Sequence, residues 1–294
     1  MSPLTSGIVL IVLTFVFCGI QIGIHPFVKK VTNCYYFWII VASILLIYFI
    51  AARYGWDCKA LSDCNRGIRI DYCYTNIDYT SSFLKAKVFL TDLCPFFFVA
   101  TCISLIAQPS RKIAVAFATP MIFGALLALF TSIMLGDGGR AELTAKYIFL
   151  GSDPYRLKFL MHFLGLVLGI GVLLNTPSNK WWTFLWTNLA ALGFFIYITI
   201  VSYGFNVHTN VCGIRPEDWM PYTQPYGANA SFYPIGRIFS FCSFPWIICL
   251  PLTICYIVIC LFMHLHYIMQ KKISFFKVNQ EKSKEPIWFG YYKI

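Results

Sequence analysis

Residues 113–136 read IAVAFATPMIFGALLALFTSIMLG, without one Lys, Arg, Asp or Glu. An α-helix needs about 20 such residues, rising about 1.5 Å each, to cross the roughly 30 Å hydrocarbon core of a bilayer. A helix on the surface of a soluble domain would carry charge on one face, and this one is apolar all round. Working outward, the pattern repeats. Charge-free runs lie at 93–110, 31–52 and 1–28 on one side, and at 159–179, 181–214 and 238–270 on the other. The run from 93 extends back to Val88 once a single acid, Asp92, is tolerated. These runs are too long for barrel strands and lack period-two alternation. The fold class they imply is all-α, a polytopic membrane helical bundle of about seven transmembrane helices. The expected spans are roughly 5–25, 35–52, 87–107, 113–135, 158–175, 182–202 and 244–268.

Composition agrees. Only 12% of residues are charged, about half the share in a soluble domain, so lipid takes the place of a single buried core. The chain reads as one transmembrane domain, 1–270, followed by a basic tail, 271–294. Much of the formal net charge of +11 comes from that Lys-rich tail. Its plain reading is a positive-inside anchor in the cytoplasm rather than a nucleic-acid arm. Abundant Phe, Ile, Tyr and Lys are what AT-rich coding produces.

Orientation follows from the short loops. The first run has no positive charge before it and carries Lys29 and Lys30 after it, unlike a cleaved signal. With the N-terminus outside, Lys29, Lys30, Arg111, Lys112, Lys180 and the tail lysines are all inside. Arg53, Lys59, Arg66 and Arg69 in loop 53–86 weigh mildly against that arrangement. The expected location is the cell membrane, multi-pass, with the C-terminus cytoplasmic.

Several function classes find no support. There is no Gly-rich phosphate loop, and Gly136-Asp137-Gly138-Gly139-Arg140 reads as a turn. No internal repeat is visible, which disfavours carriers built from paired repeats. The segment 203–243, rich in Pro, Tyr and Asn, is expected to fold back over the membrane surface.

The chain holds twelve cysteines. Cys18, Cys102, Cys242, Cys249, Cys255 and Cys260 lie in or beside apolar helices and behave by default as small hydrophobes. Cys58, Cys64, Cys73 and Cys212 fall in loops on the expected outer side. Their spacing is not that of a zinc finger or ribbon, so no metal and no cofactor is implied. An oxidising exterior would let them form a disulfide staple, joining Cys212 to one of the other three or two of those to each other.

Ionisable groups inside membrane helices are functional candidates by default. Asp92 precedes Cys94 in the third span, and His162 lies near the start of the fifth. Counted from the helix ends, they sit at about 6–11 Å depth in the same half of the bilayer. Beyond the sixth span come His208 and Asn210 on that same side. Pro95 should bend its helix, free the carbonyl of Thr91 and open a pocket beside Cys94. A thiol beside an imidazole is a nucleophile, with Cys94 attacking and His162 taking the proton. Asp92, about 200° round the helix from Cys94, would position a substrate headgroup together with His208 and Asn210. The plain alternative is packing, because a Cys in a membrane helix is usually a small hydrophobe and a lone His a hydrogen-bonding group.

At these residues the chain resembles the YwaF-type bacterial integral membrane proteins. The segment Leu90-Thr91-Asp92-Leu93-Cys94-Pro95 is similar to an apolar run ending in a marked Cys. Gly124 to Leu129 resembles the following Gly/Ala/Leu helix, and Phe159 to Phe163 the helix with one His. His208-Thr209-Asn210 resembles a Thr-Asn element, and Pro245-Trp246 a Pro-Trp step before the last helix. The likeness covers roughly residues 88–260 in order. It departs at Asp92, where the bacterial relatives are expected to carry His. The wider group includes an ether-phospholipid acyltransferase and the AIG-type hydrolases of fatty-acid esters. The resemblance therefore implies an intramembrane acyl transferase or hydrolase acting on membrane lipids, with Cys94 as nucleophile and His162 as base. The competing function is a non-enzymatic membrane protein, either a subunit bound to membrane partners or a transporter. A transporter should show several intramembrane charges or broken helices, and the sequence displays Asp92 and little else.

Overall fold

The computed structural model describes residues 3–68, 77–107, 112–134, 143–150, 159–176, 180–209, 211–219 and 233–272. Helices fall on the charge-free runs. They are α1 (Pro3–Thr32), α2 (Tyr35–Ala52), α3 (Lys59–Asn65), α4 (Ile77–Val88), α5 (Leu93–Ala107) and α6 (Lys112–Met134), then a short α7 (Ala145–Leu150). Next come α8 (Phe159–Asn175), α9 (Lys180–Gly204), the single turn α10 (Pro216–Trp219), α11 (Tyr233–Phe241) and α12 (Trp246–Lys272). Among the described residues there is no strand.

Six helical stretches are long and apolar enough to cross a membrane: α1, α2 with its extension, α4 with α5, α6, α9 and α12. The seventh expected span is α8, whose 17 residues reach about 26 Å. The chain is a multi-pass membrane helical bundle.

Helix α6 is its hub, packing against α8, α5 and α9, while α12 lies on α9 and α1 on α8. The centre is aromatic: Phe97, Phe98 and Phe194 are fully buried, with Met121 and Ile198. Small residues let the hub approach its neighbours closely, as lipid-embedded helices require. A Cβ on Gly124 would stand 2.6 Å from Cys94 Sγ, so the backbone of α6 itself is the wall against which Cys94 rests.

Three features differ from the sequence reading. The α2 helix does not stop at Arg53 but runs on through a π-helical turn, Arg53–Cys58, into α3. Arg53, Asp57 and Cys58, expected in a loop, are buried. They stay helical because their charges find partners inside the protein. The third span is also not one helix bent at Pro95. The chain leaves helix at residues 89–92, and Pro95 sits in the first turn of α5, where its missing N–H is an orphan in any case. The segment after α9 does not simply lie over the surface. Val207, Val211 and Ile214 have no exposed surface and join the main core, because Asp218 folds the segment on itself. Its Oδ2 accepts the N–H groups of Val211 (3.1 Å) and Gly213 (2.7 Å).

Candidate functional site

The break between α4 and α5 organises the site. α4 ends in a Schellman arrangement: Thr91 N–H donates to the Ala86 carbonyl (3.1 Å) and Leu90 N–H to that of Lys87 (3.4 Å). Leu90 occupies the left-handed position (φ 53°) that glycine usually takes. A branched side chain is strained there, so the surroundings must hold it. They do so by bringing donors to the carbonyls around the break. Arg53 Nε donates to Lys87 O (3.2 Å) and Tyr54 Oη to Val88 O (3.1 Å). Tyr197 Oη from α9 donates to Phe89 O, and Cys212 Sγ to Thr91 O (3.4 Å). Thr91 O is the very carbonyl expected to be free, and its donor is a thiol. Non-helical backbone at membrane depth survives only when it is provided for in this way.

Charge converges on the same place. Arg53 Nη2 pairs with Asp92 Oδ2 at 3.3 Å, and Lys87 Nζ with Asp57 Oδ2 at 3.0 Å. Arg53, Asp57 and Lys87 are nearly inaccessible, while the Asp92 side chain keeps 24% of its surface. The π-helical turn widens the end of α2 so that both Arg53 and Asp57 meet α4 and α5. Lys87 also lies 5.2 Å from the centre of the Phe83 ring, a further favourable seat for a cation. The four charges cancel, and two pairs stitch α2 to both sides of the break. The cluster lies about 27 Å along α2 from Tyr35. That is the loop face of the bundle, at which α2 and α9 also end.

The sequence candidates distribute as follows. Asp92 immediately precedes α5, where a carboxylate complements the helix N-terminus, and is held by Arg53. Cys94 lies in the first turn of α5 with its sulfur on Gly124. His162 is buried on α8, one turn before Gly165, which faces Met121 and Phe98. Cys94 thus rests on α6, and His162 lies on α8, a helix packed against α6. His208 is anchored through its backbone N–H to Ser82 Oγ (3.0 Å), and Thr209 Oγ1 meets the same oxygen at 3.0 Å. Asn210 lies outside the described residues.

The four loop cysteines divide. Cys58 and Cys212 are free thiols: Cys58 is buried at the end of the π-turn, and Cys212 is spent on Thr91. Burial, with Asp92 and then Asp218 nearby, pushes the Cys212 thiol well above its ordinary range. Cys64 is disulfide-bonded, and Cys73 lies outside the described residues. Among the described residues no group of three His, Cys, Asp or Glu is arranged to hold a metal ion.

Sequence reasoning missed Arg53, Asp57 and Lys87. In the sequence Arg53 opens a charge-rich segment and Lys87 closes it, so neither stands out as a buried charge. The available signal was spacing, since Arg53 and Asp57 are one helical turn apart and directly continue an apolar run.

A bundle of membrane-length apolar helices with two buried ion pairs beside an interrupted helix defines a class, the polytopic membrane proteins with charges at a helix break. Within it the chain belongs to the family of unknown function DUF5378, whose model matches residues 8–287. It is similar to the uncharacterized protein MG135 homolog of Mycoplasma pneumoniae, 26% identical over 221 residues, covering 71% of this chain and 73% of that one. It is also similar to the uncharacterized protein MG135 of Mycoplasma genitalium, 25% identical over 205 residues, covering 66% and 67%. No solved structure matches the chain.

Proposed function

We propose that this protein is a membrane transporter for a small ion or polar solute, gated at the loop face by the Arg53–Asp92 and Lys87–Asp57 pairs. The observation that carries the reading is that these pairs bridge α2 to both halves of a broken helix. Intramembrane charges on a discontinuous helix are the hallmark of ion and solute pathways. A paired charge can hold such a mouth shut, and exchanging partners can open it. The loop face is outside in this reading, because Lys29, Lys30, Lys112, Lys180 and Lys271 all border the opposite face. Cys34, exposed at the corner between α1 and α2, then faces the cytoplasm. A membrane-impermeant maleimide added to intact cells should leave Cys34 unlabelled, and its labelling would reverse the orientation.

The direct test is flux. The purified protein is reconstituted into liposomes, and movement of protons and of rubidium is followed with the wild type, Arg53→Gln and Asp92→Asn. Removing a pair that contributes about 1.4 kcal/mol to the closed state should raise leak about tenfold. Fluxes equal to those of empty liposomes in all three would remove the gate. The resemblance to acyl-chain enzymes offers the competing outcome. If the purified protein released fatty acid from phospholipid, and Cys94→Ala abolished that release, the transport reading would give way to lipid chemistry with Cys94 as nucleophile.

A further inference from the structure

At the loop-face end of α9 a groove of about 390 Å³ is open along one side. Its walls are Thr199, Ile200, Tyr203 and Gly204 on α9, with Phe244 just before α12. The surface is apolar. Gly204 leaves the floor bare, since a Cβ there would meet nothing within 4 Å. Tyr203 and Phe244 close one wall, edge to face at 5.4 Å.

A cation is fixed against the Tyr203 wall. The guanidinium of Arg215 lies 4.0 Å from the centre of the Tyr203 ring. Its Nε donates to Ser202 Oγ (3.0 Å) and its Nη2 to Ser202 O (2.8 Å). Among the described residues no group takes Nη1. Of the nearby acids, Asp218 accepts from the Val211 and Gly213 N–H groups, and Glu217 is exposed. Lys85 reaches the same end of α9 and donates to Phe205 O (3.3 Å). Beside the groove, Phe241 and Trp246 are 80% and 72% exposed, apolar groups of the kind that seat a protein corner at the headgroup boundary.

We infer that this groove binds an anionic phospholipid of the leaflet on the loop face. One acyl chain lies along Ile200 and Gly204, and the phosphate rests on the free edge of Arg215. The argument is charge complementarity. An apolar slot alone would take any lipid tail, but a guanidinium already immobilised on Ser202 and Tyr203 adds anion preference with little ordering cost. The site is independent of the transport reading, and the experiment below measures no flux.

The protein is purified in detergent and doped with equal amounts of phosphatidylglycerol and phosphatidylcholine of identical chains. Retained lipid is counted by native mass spectrometry. The wild type should retain phosphatidylglycerol about fivefold over phosphatidylcholine, the preference that one surface cation supplies. Gly204→Trp fills the groove from an open position, so the fold is kept, and retention of both lipids should fall about fivefold or more. Arg215→Gln should lose the preference and keep the phosphatidylcholine. If that variant misfolds through its Ser202 bonds, the wild-type ratio and Gly204→Trp still decide the matter. Equal retention of the two lipids by the wild type, or unchanged retention in Gly204→Trp, overturns the site.

Discussion

Lys87→Met is expected to lower the stability of the folded bundle by about 3 kcal/mol, and adding Asp57→Leu in the same chain should recover most of that loss. The asymmetry comes from burial. The Asp57 side chain has no exposed surface, and the Lys87 ammonium at 3.0 Å is the counter-charge it faces. Removing the lysine takes away the cation that this buried carboxylate faces at 3.0 Å, the costly way to break a pair. Arg53 does not simply replace it, because its Nη2 is held by Asp92 and its Nε by the Lys87 carbonyl, which persists in the variant. The membrane-inserted unfolded state keeps its helices and finds some partners of its own. That trims the effect below what the same pair would show in a soluble core. Removing both charges replaces an ion pair by apolar atoms of similar size, which is often neutral. Equilibrium unfolding in mixed micelles of increasing SDS fraction measures all three proteins. Equal stability of Lys87→Met and the wild type would show that the pair is solvated, and the gate would lose its physical basis.

The spans were legible because the bilayer imposes one strong rule on composition. A helix such as α6 must be free of charge over its whole length, and the sequence displays that directly. The break at residues 89–92 was less legible. Its only local marks are Asp92 and the polar Thr91 inside an apolar run, and a competing signal, Pro95, pointed three residues too far along. A proline reads as a kink when the helix continues on both sides of it. Here α5 begins just before Pro95, so the proline is harmless. What ends α4 is a left-handed Leu90, a conformation that no propensity favours. It is maintained by Arg53, Tyr54, Tyr197 and Cys212, which are distant in sequence. The same holds for the ion pairs: Arg53 and Asp92 are 39 residues apart, and pairing at that distance leaves no periodic trace. Cys94 and His162 stand out in the sequence only by their count from the ends of their spans. Whether they touch depended on α6, whose Gly124 accepts the sulfur of Cys94.

That use of glycine extends to the seam between α6 and α8 and yields a sharper test. Gly165 and Gly169 are four residues apart on α8, a small-xxx-small pattern that lets two membrane helices approach closely. They are not equivalent. A Cβ on Gly165 would meet the nearest atoms of Met121 and Phe98 at 3.5 Å and 3.7 Å, ordinary contact. A Cβ on Gly169 would run into Ile122, with Cδ1 at 2.9 Å and Cγ1 closer, and would press on Met121 at 3.2 Å. Gly165→Ala should therefore be neutral or slightly stabilising, because alanine gains up to about 1 kcal/mol of helix propensity over glycine. Gly169→Leu should be destabilising by about 3 kcal/mol, the upper end of what overpacking does. α8 cannot move outward without dragging α1, which is tied to it where Gln21 Nε2 donates to the Val167 carbonyl at 2.8 Å. Ile122 is the specific obstacle, so Ile122→Ala in the Gly169→Leu background should restore part of the loss although it removes apolar contact by itself. Non-additivity of that sign separates a local collision from general damage to the helix. If Gly169→Leu and Gly165→Ala unfold at the same SDS fraction, or if Ile122→Ala only adds its own penalty, the two helices are not in contact at this seam. The hub position of α6, and with it the wall behind Cys94, would then have to be abandoned.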